Sequence, residues 1–245
     1  MGISAIIPIH NEASVLDDVL ECVERQSRRP EEIILVLDSC TDESEEIARR
    51  HQAKIVSVHV RNIAIAVMSG VAAASKETLV LFDGNSLVPA NYVEVLEETL
   101  FRTQADLVEW HGGMMIFPRT TLERFGGFSP LHLWTLEFFL RMGERGGRLV
   151  QLDGPHVRLK PSPLRRNLRY GLDYAMLSER HKLAPFFRIG TKSGLLPDLF
   201  ATFGAAVGHL LRGRLGRAVL DLPAAIRAAS RSSSGRAGSD PPSRE

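Results

Sequence analysis

Short apolar runs alternate with amphipathic stretches through the first half of the chain. The strand-like runs are Ser4–Ile9, Glu32–Leu37, Lys54–Val58 and Thr78–Phe82. Between them, apolar residues recur with helical spacing, most clearly over Ala13–Gln26, and two further helices are predicted near 43–51 and 63–75. This alternation predicts right-handed βαβ crossovers and a mostly parallel sheet, which is an α/β fold.

The second half of the chain has a less regular pattern. Further strands are predicted at Leu107–Trp110, Met114–Phe117 and Leu149–Leu152, with helices at Thr120–Phe125 and Trp134–Glu144. Beyond residue 160 the sequence becomes basic and helical, and residues 230–245 are rich in Ser, Gly, Pro and Arg. We therefore expect an α/β domain over 1–160, a basic amphipathic helical extension over 161–229 and a disordered tail over 230–245.

Polar residues stand directly after three of the predicted strands. Pro8 closes the first strand before His10-Asn11-Glu12, Asp38 ends the second, and Asp83-Gly84-Asn85 follows the fourth. Open α/β sheets bind ligands at the carboxyl ends of their strands. Backbone amides at a helix start favour anions, so the first loop indicates an anionic ligand. The plainer alternative is that Asn11 or Ser14 only caps the following helix.

The order and spacing of these motifs resemble the family 2 glycosyltransferases, and the resemblance spans roughly residues 3–160. It implies the GT-A fold, which is a Rossmann-like sheet flanked by helices. It also implies inverting transfer of a sugar from a nucleotide-diphosphate donor to a hydroxyl. Members bind the nucleotide with the residues after the first proline. The resemblance therefore implies these donor-binding residues: Pro8, His10, Asn11, Glu12, Asp38, Arg61 and Asp83.

Asp83-Gly84-Asn85 stands where the family has Asp-X-Asp, the motif that holds Mg²⁺ or Mn²⁺ on the donor diphosphate. Both ions prefer hard oxygen ligands; Asn85 keeps such an oxygen but contributes no negative charge. Many members place a metal-binding histidine near the position of His156. The implied metal ligands are therefore Asp83, Asn85 and His156, with an ordinary Asp-Gly-Asn turn as the alternative.

Two family motifs are altered in this chain. The Gly-Lys-Gly motif before the fourth strand is missing, and Arg61 is the residue that could replace its lysine as a phosphate partner. The Glu-Asp pair that carries the catalytic base aligns with Trp134-Thr135, and threonine cannot act as a base at neutral pH. Glu137, two residues later, is the predicted catalytic residue, with Glu109 and His111 as alternatives.

Aromatic and glycine residues lie beside the expected acceptor site. Trp110 and Trp134 could stack on a sugar or a lipid-linked acceptor, and Gly112-Gly113 separates two predicted strands there. These four residues form the predicted acceptor site. Core packing of both tryptophans is an equally weighted alternative.

The net charge of +1 conceals an uneven distribution. Residues 156–245 hold 16 Lys or Arg and 6 Asp or Glu, whereas residues 1–155 hold the other 14 and 23. Such a division indicates that one half meets a polyanion or an anionic membrane, or that the two halves attract each other. Leu195–Leu211 is apolar and flanked by arginines, so we expect peripheral membrane contact, with packing on the protein itself or a partner subunit as the alternative.

The apolar runs, the N-terminal residues and the cysteines indicate where the protein is located. No run of 18 apolar residues occurs, no secretory signal is recognisable, and Cys22 and Cys40 suit reduced thiols. We therefore expect a cytoplasmic protein, with the cytoplasmic face of the membrane as a further location. No nucleic-acid partner is expected, because no recognition module is evident.

The leading hypothesis is a metal-dependent glycosyltransferase that acts on a hydroxyl of a glycan or lipid-linked acceptor, in cell-envelope glycan synthesis. The first alternative is a non-catalytic relative that binds a nucleotide or a protein partner. The second is a nucleotidyltransferase. It ranks last because Pro8–Ser14 lacks the glycine-rich phosphate loop that this class needs.

Overall fold

The computed structural model describes residues 2–111, 113–160, 169, 170, 172–174, 176, 177 and 181. The chain divides into two compact units, Met1–Pro161 and Ser162–Glu245. In the first unit the strands are β1 (Ile3–Ile9), β2 (Glu32–Asp38), β3 (Lys54–Val58), β4 (Thr78–Leu81), β5 (Ser86–Leu87), β6 (Leu107–His111), β7 (Met114–Pro118), β8 (Leu149–Gln151) and β9 (Val157–Arg158). Its helices are α1 (Leu16–Glu24), α2 (Ser44–Arg50), α3 (Ile63–Ala73), α4 (Tyr92–Thr103), α5 (Arg119–Phe125) and α6 (Trp134–Glu144). In the second unit, the described positions from 169 to 177 are helical.

The described strands form a seven-stranded sheet in the order β3-β2-β1-β4-β7-β6-β8. Every pairing in it is parallel except the two made by β7, which runs antiparallel to β4 and β6. β5 and β9 form a separate antiparallel ribbon. The predicted α/β fold with a mostly parallel sheet is therefore confirmed.

Helices cover both faces of this sheet. One core lies between the sheet and α1, α2 and α4, and a second lies between the sheet and α3, α5 and α6. Alternate residues of β1 enter opposite cores, as the twofold repeat of a strand requires. α3 approaches the sheet closely at Gly70, where an added Cβ would lie 2.5 Å from Ile6 Cγ2.

The structure also contains elements that the sequence pattern did not predict. α4, β5 and β9 are the main additions. In addition, α1 begins at Leu16 rather than at Ala13, because the preceding residues form a turn. Ala13 N–H donates to Asp42 Oδ2 at 3.0 Å, and Val15 N–H donates to Glu12 O at 2.9 Å. The first of these bonds holds the loop after β1 against the loop after β2, and the second closes the turn itself.

The strand order places a crevice between β1 and β4. The chain runs from β1 outward to β2 and β3, and then returns through α3 to place β4 on the other side of β1. Such a reversal leaves an opening above the carboxyl ends of the two strands, where open α/β sheets bind their ligands. The loops after β1 and β4 therefore define the candidate site.

Candidate active site

The loops after β1 and β4 touch through Gly84. An added Cβ at Gly84 would lie 2.6 Å from Pro8 O and 2.8 Å from Ile9 Cδ1. Only glycine lets the second loop pass directly over the end of β1. This close approach brings Asp83 and Asn85 beside the loop that follows Pro8.

Asp38 is buried at the end of β2, with 5% of its surface exposed, and its carboxylate holds the loop between β3 and α3. Val60 N–H and Arg61 N–H each donate to Oδ1 at 2.9 Å, and Asn62 N–H donates to Oδ2 at 3.0 Å. Ser39 Oγ also donates to Oδ1, at 3.0 Å. Four donors are about the number that a carboxylate accommodates. The contact of Asp38 with the sugar donor stays a prediction. The partners of Asp38 in the structure are backbone N–H groups and a hydroxyl of the protein.

Arg61 has an unusual backbone conformation. Its φ is +47°, in the left-handed region that few residues other than glycine adopt. The bonds from this loop to Asp38 fix that conformation. The guanidinium is exposed at the carboxyl edge of the sheet, so its predicted role as a phosphate partner is sterically open.

His10 and Asn11 connect the end of β1 to the end of β2. His10 Nδ1 lies 2.6 Å from Asp38 O, and Thr41 N–H donates to Asn11 Oδ1 at 2.7 Å. Among the described residues, α1 has Val15 at its N-cap and no side-chain capping bond. Asn11 therefore links two loops of the site, and the capping alternative for Asn11 and Ser14 is wrong.

Asp83 and Asn85 each have a side-chain oxygen close to the hydroxyl of Ser86. Ser86 Oγ donates to Asp83 Oδ2 at 3.1 Å and lies 3.4 Å from Asn85 Oδ1. Arg158 Nη2 lies 3.3 Å from the same Asp83 Oδ2, which forms an ion pair across the β5–β9 ribbon. The carboxylate predicted to hold a metal therefore already has a cation beside it.

Glu12 joins the first loop to the other two segments of the site. Asn85 Nδ2 donates to Glu12 Oε1 at 3.2 Å, and Lys160 Nζ lies 2.8 Å from Glu12 Oε2. Lys160 Nζ also donates to Asn11 O at 2.7 Å. These contacts bring the residues after β1, β4 and β9 into one charged cluster.

His156 does not reach the level of Asn85 in the β5–β9 ribbon. Ser86 pairs with Arg158 and Leu87 with Val157, and Leu159 N–H donates to Asn85 O at 2.8 Å. His156 is thus three residues from the level of Asn85, or about 10 Å along an extended strand. Among the described residues, no group of three His, Cys, Asp or Glu side chains is arranged to hold a metal. The predicted trio of Asp83, Asn85 and His156 contains an asparagine, so this finding does not test it and the trio stays a prediction.

Glu137 lies in a buried ion pair rather than at the crevice. Only 1% of the residue is exposed, and Arg141 binds both carboxylate oxygens, Nε to Oε1 and Nη2 to Oε2, each at 2.9 Å. Arg141 also donates to the carbonyl oxygens of Phe125 and Gly127. Glu137 therefore anchors α6 to the turn after α5. It stays a prediction as the base, but this geometry gives it no path to an acceptor hydroxyl.

Glu109 is the second buried carboxylate that the sequence singled out. It ends the regular part of β6, level with Leu81 of β4 because both residues pair with Met115 of β7. Burial raises the pKa of Glu109, and hydrogen bonds from Gln151 and the Gly113 N–H offset only part of that rise. A carboxylate with a raised pKa is a stronger base than an exposed one.

Three of the four predicted acceptor residues lie in the described part of the chain, and two of them, both tryptophans, are buried. Trp110 and Trp134 are 6% and 7% exposed and lie in the two cores, so the alternative of core packing describes both in this conformation. Trp110 Nε1 donates to Pro155 O at 3.1 Å. Gly113 has a φ of +102°, and a Cβ added there would lie 3.3 Å from Cζ2 of the Trp134 ring. Gly112 lies outside the described residues, as does the side chain of the alternative base His111.

The sequence singled out Arg158 and Lys160 within a basic cluster that, by resemblance to the family, closes over the donor diphosphate, but it did not indicate their contacts with Asp83 and Glu12. Their signal is the spacing Arg158-Leu159-Lys160, which puts both cations on one face of an extended segment. This spacing identifies the two residues as partners of Asp83 and Glu12 only when the pairing of β9 with the segment after Asp83 is known.

The strand order and the crevice between β1 and β4 are those of the GT-A fold, a class of α/β domain. The sequence model of "Glycosyl transferase family 2" matches residues 4–125, which include Pro8, Asp38 and Asp83. Through this segment the chain belongs to glycosyl transferase family 2, and the predicted family is confirmed.

Relatives of known sequence and structure agree with this assignment. "Glycosyltransferase GlyG" of Streptococcus pneumoniae serotype 4 is 30% identical over 112 residues, which are 43% of this chain and 37% of that protein. The chain therefore matches well under half the length of that curated relative.

Solved structures of glucosyl-3-phosphoglycerate synthase from Mycobacterium tuberculosis have the same fold. The complex with Mn²⁺, UDP and glucosyl-3-phosphoglycerate superposes with a TM-score of 0.66 at 19% identity, covering 75% of this chain and 81% of that chain. The complex with Mg²⁺ and UDP gives a TM-score of 0.65 at 18% identity, with 75% and 80% covered. At these identities the likeness concerns the fold.

Proposed function

We propose that this protein transfers a sugar from a nucleoside-diphosphate donor to a hydroxyl acceptor. The observation that carries the proposal is the joining of three loops at the crevice between β1 and β4. There Glu12, Asp83 and Asn85 meet the cations Arg158 and Lys160. Family membership and the UDP or UDP-glucose in the similar structures support a nucleotide-sugar donor.

In this proposal the nucleotide lies across the carboxyl ends of β2, β1 and β4. Pro8, His10 and Asn11 line its path at the end of β1, and Asp38 sets the position of Arg61. Strands are spaced by about 4.8 Å, so Arg61 near the end of β2 and Asp83 after β4 are about 10 Å apart across the sheet. A nucleoside diphosphate is long enough to contact both.

A divalent metal suits this site as a partner of the diphosphate. Asp83 Oδ1 and Asn85 Oδ1 are hard oxygen atoms, and Mg²⁺ is typically bound by one or two carboxylates together with substrate phosphates and water. Mg²⁺ or Mn²⁺ bound there would neutralise charge on the leaving nucleoside diphosphate. His156, which directly precedes β9, remains the third ligand of this proposal.

The chemistry proposed is a single displacement that inverts the anomeric carbon. The acceptor oxygen forms a bond to that carbon as the bond to the donor phosphate breaks, and the acceptor proton passes to a carboxylate. For that carboxylate we propose Glu109 ahead of Glu137. Its raised pKa and its position at the carboxyl edge support the choice, whereas both oxygens of Glu137 are bound to Arg141.

Two isosteric variants separate the candidate bases. Glu109→Gln should lower kcat by about 10²–10⁴ with little loss of folding stability, as expected when a general base is removed. Glu137→Gln should instead destabilise the fold, because it leaves the partly buried Arg141 without its charge partner, while the folded fraction keeps its kcat. The opposite pattern would restore Glu137 as the base.

The first test of the function is transfer by the Asp83→Ala variant. UDP-glucose and other nucleotide sugars are screened for release of the nucleoside diphosphate with a panel of hydroxyl acceptors. Asp83→Ala should abolish release, and Asp18→Asn, an exposed residue of α1, should retain it. Full activity in Asp83→Ala would refute the site assignment.

A lipid-linked or cell-envelope acceptor and peripheral membrane contact belong to the same proposal. The segment that suggests them, Leu195–Leu211, lies outside the described residues. Within the part of the chain that the structure describes, no helix has the length and apolar content to cross a membrane. Sedimentation with anionic liposomes tests the contact directly.

A non-catalytic domain that binds a nucleotide is the second candidate. The neutral Asn85 and the ion-paired Glu137 favour it, since both depart from the family's catalytic pattern. This candidate predicts that UDP raises the melting temperature, because UDP would bind only the folded protein, and that no acceptor yields a glycosylated product.

A further inference from the structure

Two ion pairs neutralise the acidic groups of the crevice. Arg158 lies 3.3 Å from Asp83, and Lys160 lies 2.8 Å from Glu12. The antiparallel pairing of β9 with β5, continued by the bond from Leu159 N–H to Asn85 O, holds both cations on one side of the ribbon. The site therefore carries two cations of its own next to the proposed metal position.

This arrangement opposes metal binding in the absence of a ligand. Asn85 is neutral, so Asp83 and Glu12 are the carboxylates at this point, and each already has a cation within ion-pair distance. A divalent ion arriving alone must displace Arg158 from Asp83 and then remain close to two positive charges. Repulsion between charges a few ångströms apart remains significant even near the protein surface.

A diphosphate reverses this balance. Guanidinium and ammonium groups bind phosphate oxygens through charge-assisted hydrogen bonds, and arginine does so with two parallel bonds. When Arg158 and Lys160 turn to a diphosphate, Asp83 loses its cation, keeps only the Ser86 hydroxyl among the partners named above, and becomes available to a metal ion. The phosphate oxygens also supply the further ligands that a divalent ion requires.

We propose that Arg158 and Lys160 make metal binding conditional on the donor diphosphate. Without ligand they neutralise Asp83 and Glu12. The diphosphate binds to the two cations, frees Asp83, and so raises the affinity of the site for the divalent ion. This inference rests on the proposed function, because it takes the crevice to be the donor site.

The first experiment measures Mn²⁺ alone, by the loss of the free-ion signal in electron paramagnetic resonance. Wild type should bind Mn²⁺ weakly, and Arg158→Gln should bind it about tenfold more tightly, since one positive charge next to Asp83 is removed. Arg158→Lys keeps the charge and should resemble wild type. Arg49→Gln, which makes the same change in an exposed ion pair of α2, should have no effect.

The second experiment measures diphosphate binding without metal, by calorimetry in the presence of EDTA. The probes are UDP and inorganic pyrophosphate, the latter because it needs no recognition of a base. Wild type should bind both, and Arg158→Gln should bind both about tenfold more weakly. One substitution thus changes the affinities for metal and for diphosphate in opposite directions, which general damage to the fold would not do.

Two results overturn the proposal. One is that Arg158→Gln binds Mn²⁺ no more tightly than wild type. The other is that wild type binds Mn²⁺ equally well with and without pyrophosphate. Failure of the proposed function is a different result: no nucleoside diphosphate binds and no sugar is transferred, while the Mn²⁺ and pyrophosphate titrations still decide this inference.

Discussion

Replacing Asp38 by asparagine tests whether this carboxylate organises the loop that carries Arg61. The side chain accepts three backbone N–H groups and one hydroxyl while being 5% exposed. A hydrogen bond to a charged group contributes about 1.5–3 kcal/mol. Asparagine keeps one neutral acceptor but turns an NH₂ group toward at least one N–H. We therefore expect a loss of about 2–3 kcal/mol, which is a fall of about 4–12 °C in melting temperature for a unit of this size.

Tryptophan fluorescence during thermal and urea unfolding is the appropriate assay. The two tryptophans of the chain, Trp110 and Trp134, both belong to the unit Met1–Pro161, so the signal reports on that unit. Asp42→Asn is the matched control. Asp42 also accepts backbone N–H groups, from Ala13 and Ser44, but it is exposed, and its loss should cost about 1 kcal/mol or less.

Hydrogen exchange then localises the effect. In Asp38→Asn the amides of residues 60–62 should exchange faster than in wild type, while those of β1 should not change. UDP should also bind more weakly, because Arg61 is no longer held in its left-handed conformation. If stability and the exchange of residues 60–62 both match wild type, Asp38 does not organise this loop and a direct role in ligand binding becomes the better account.

Two further predictions concern stability and packing. Burial alone would lower the pKa of His51, but hydrogen bonds that its ring donates to Asp17 and Glu24 outweigh burial and raise the pKa above the ordinary 6.5. The resulting stability is present below about pH 6.5 and is lost as the pH rises through the raised value, so urea midpoints from pH 5 to 9 should fall in wild type and stay flatter in His51→Gln. Gly84→Ala should destabilise by about 1–3 kcal/mol in thermal melts and weaken UDP binding, since its Cβ would lie 2.6 Å from a β1 carbonyl oxygen. Gly143→Ala, where nothing lies within 4 Å of the added atom, should melt at or above the wild-type temperature.

The sheet was predictable because its strands are apolar runs that end at polar residues. Pro8, Asp38 and Asp83 mark the ends of three strands, and parallel pairing brings those ends to one edge. That inference needs only the alternation of strands and helices and the right-handed crossover rule. The same reasoning predicted which loops form the site, but it did not predict the contacts between them.

The partners of the charged residues were not predictable in the same way. The Glu137–Arg141 pair has the four-residue spacing of a helical ion pair, but the spacing does not reveal that the pair is buried beneath the turn at Gly127. His156 and Lys160 lie four residues apart, and only the register of β9 on β5 decides which of them lies nearer the level of Asn85. Register between distant segments is set by long-range packing, which a local pattern does not contain.

The carboxylates of the domain therefore separate into two groups by what binds them. Asp38 and Glu137 are bound by groups that position loops and helices, so their loss should appear first in stability. Asp83 and Glu12 are instead paired with Arg158 and Lys160, cations that also bind phosphate well. In the proposed exchange, a ligand that supplies phosphate replaces these partners while the backbone pairing of the β5–β9 ribbon is retained. Substitution of Arg158 should therefore change the affinities for metal and diphosphate without unfolding the domain. Because the two effects are separate, the proposed replacement of Arg158 by a metal ion at Asp83 can be measured in binding experiments.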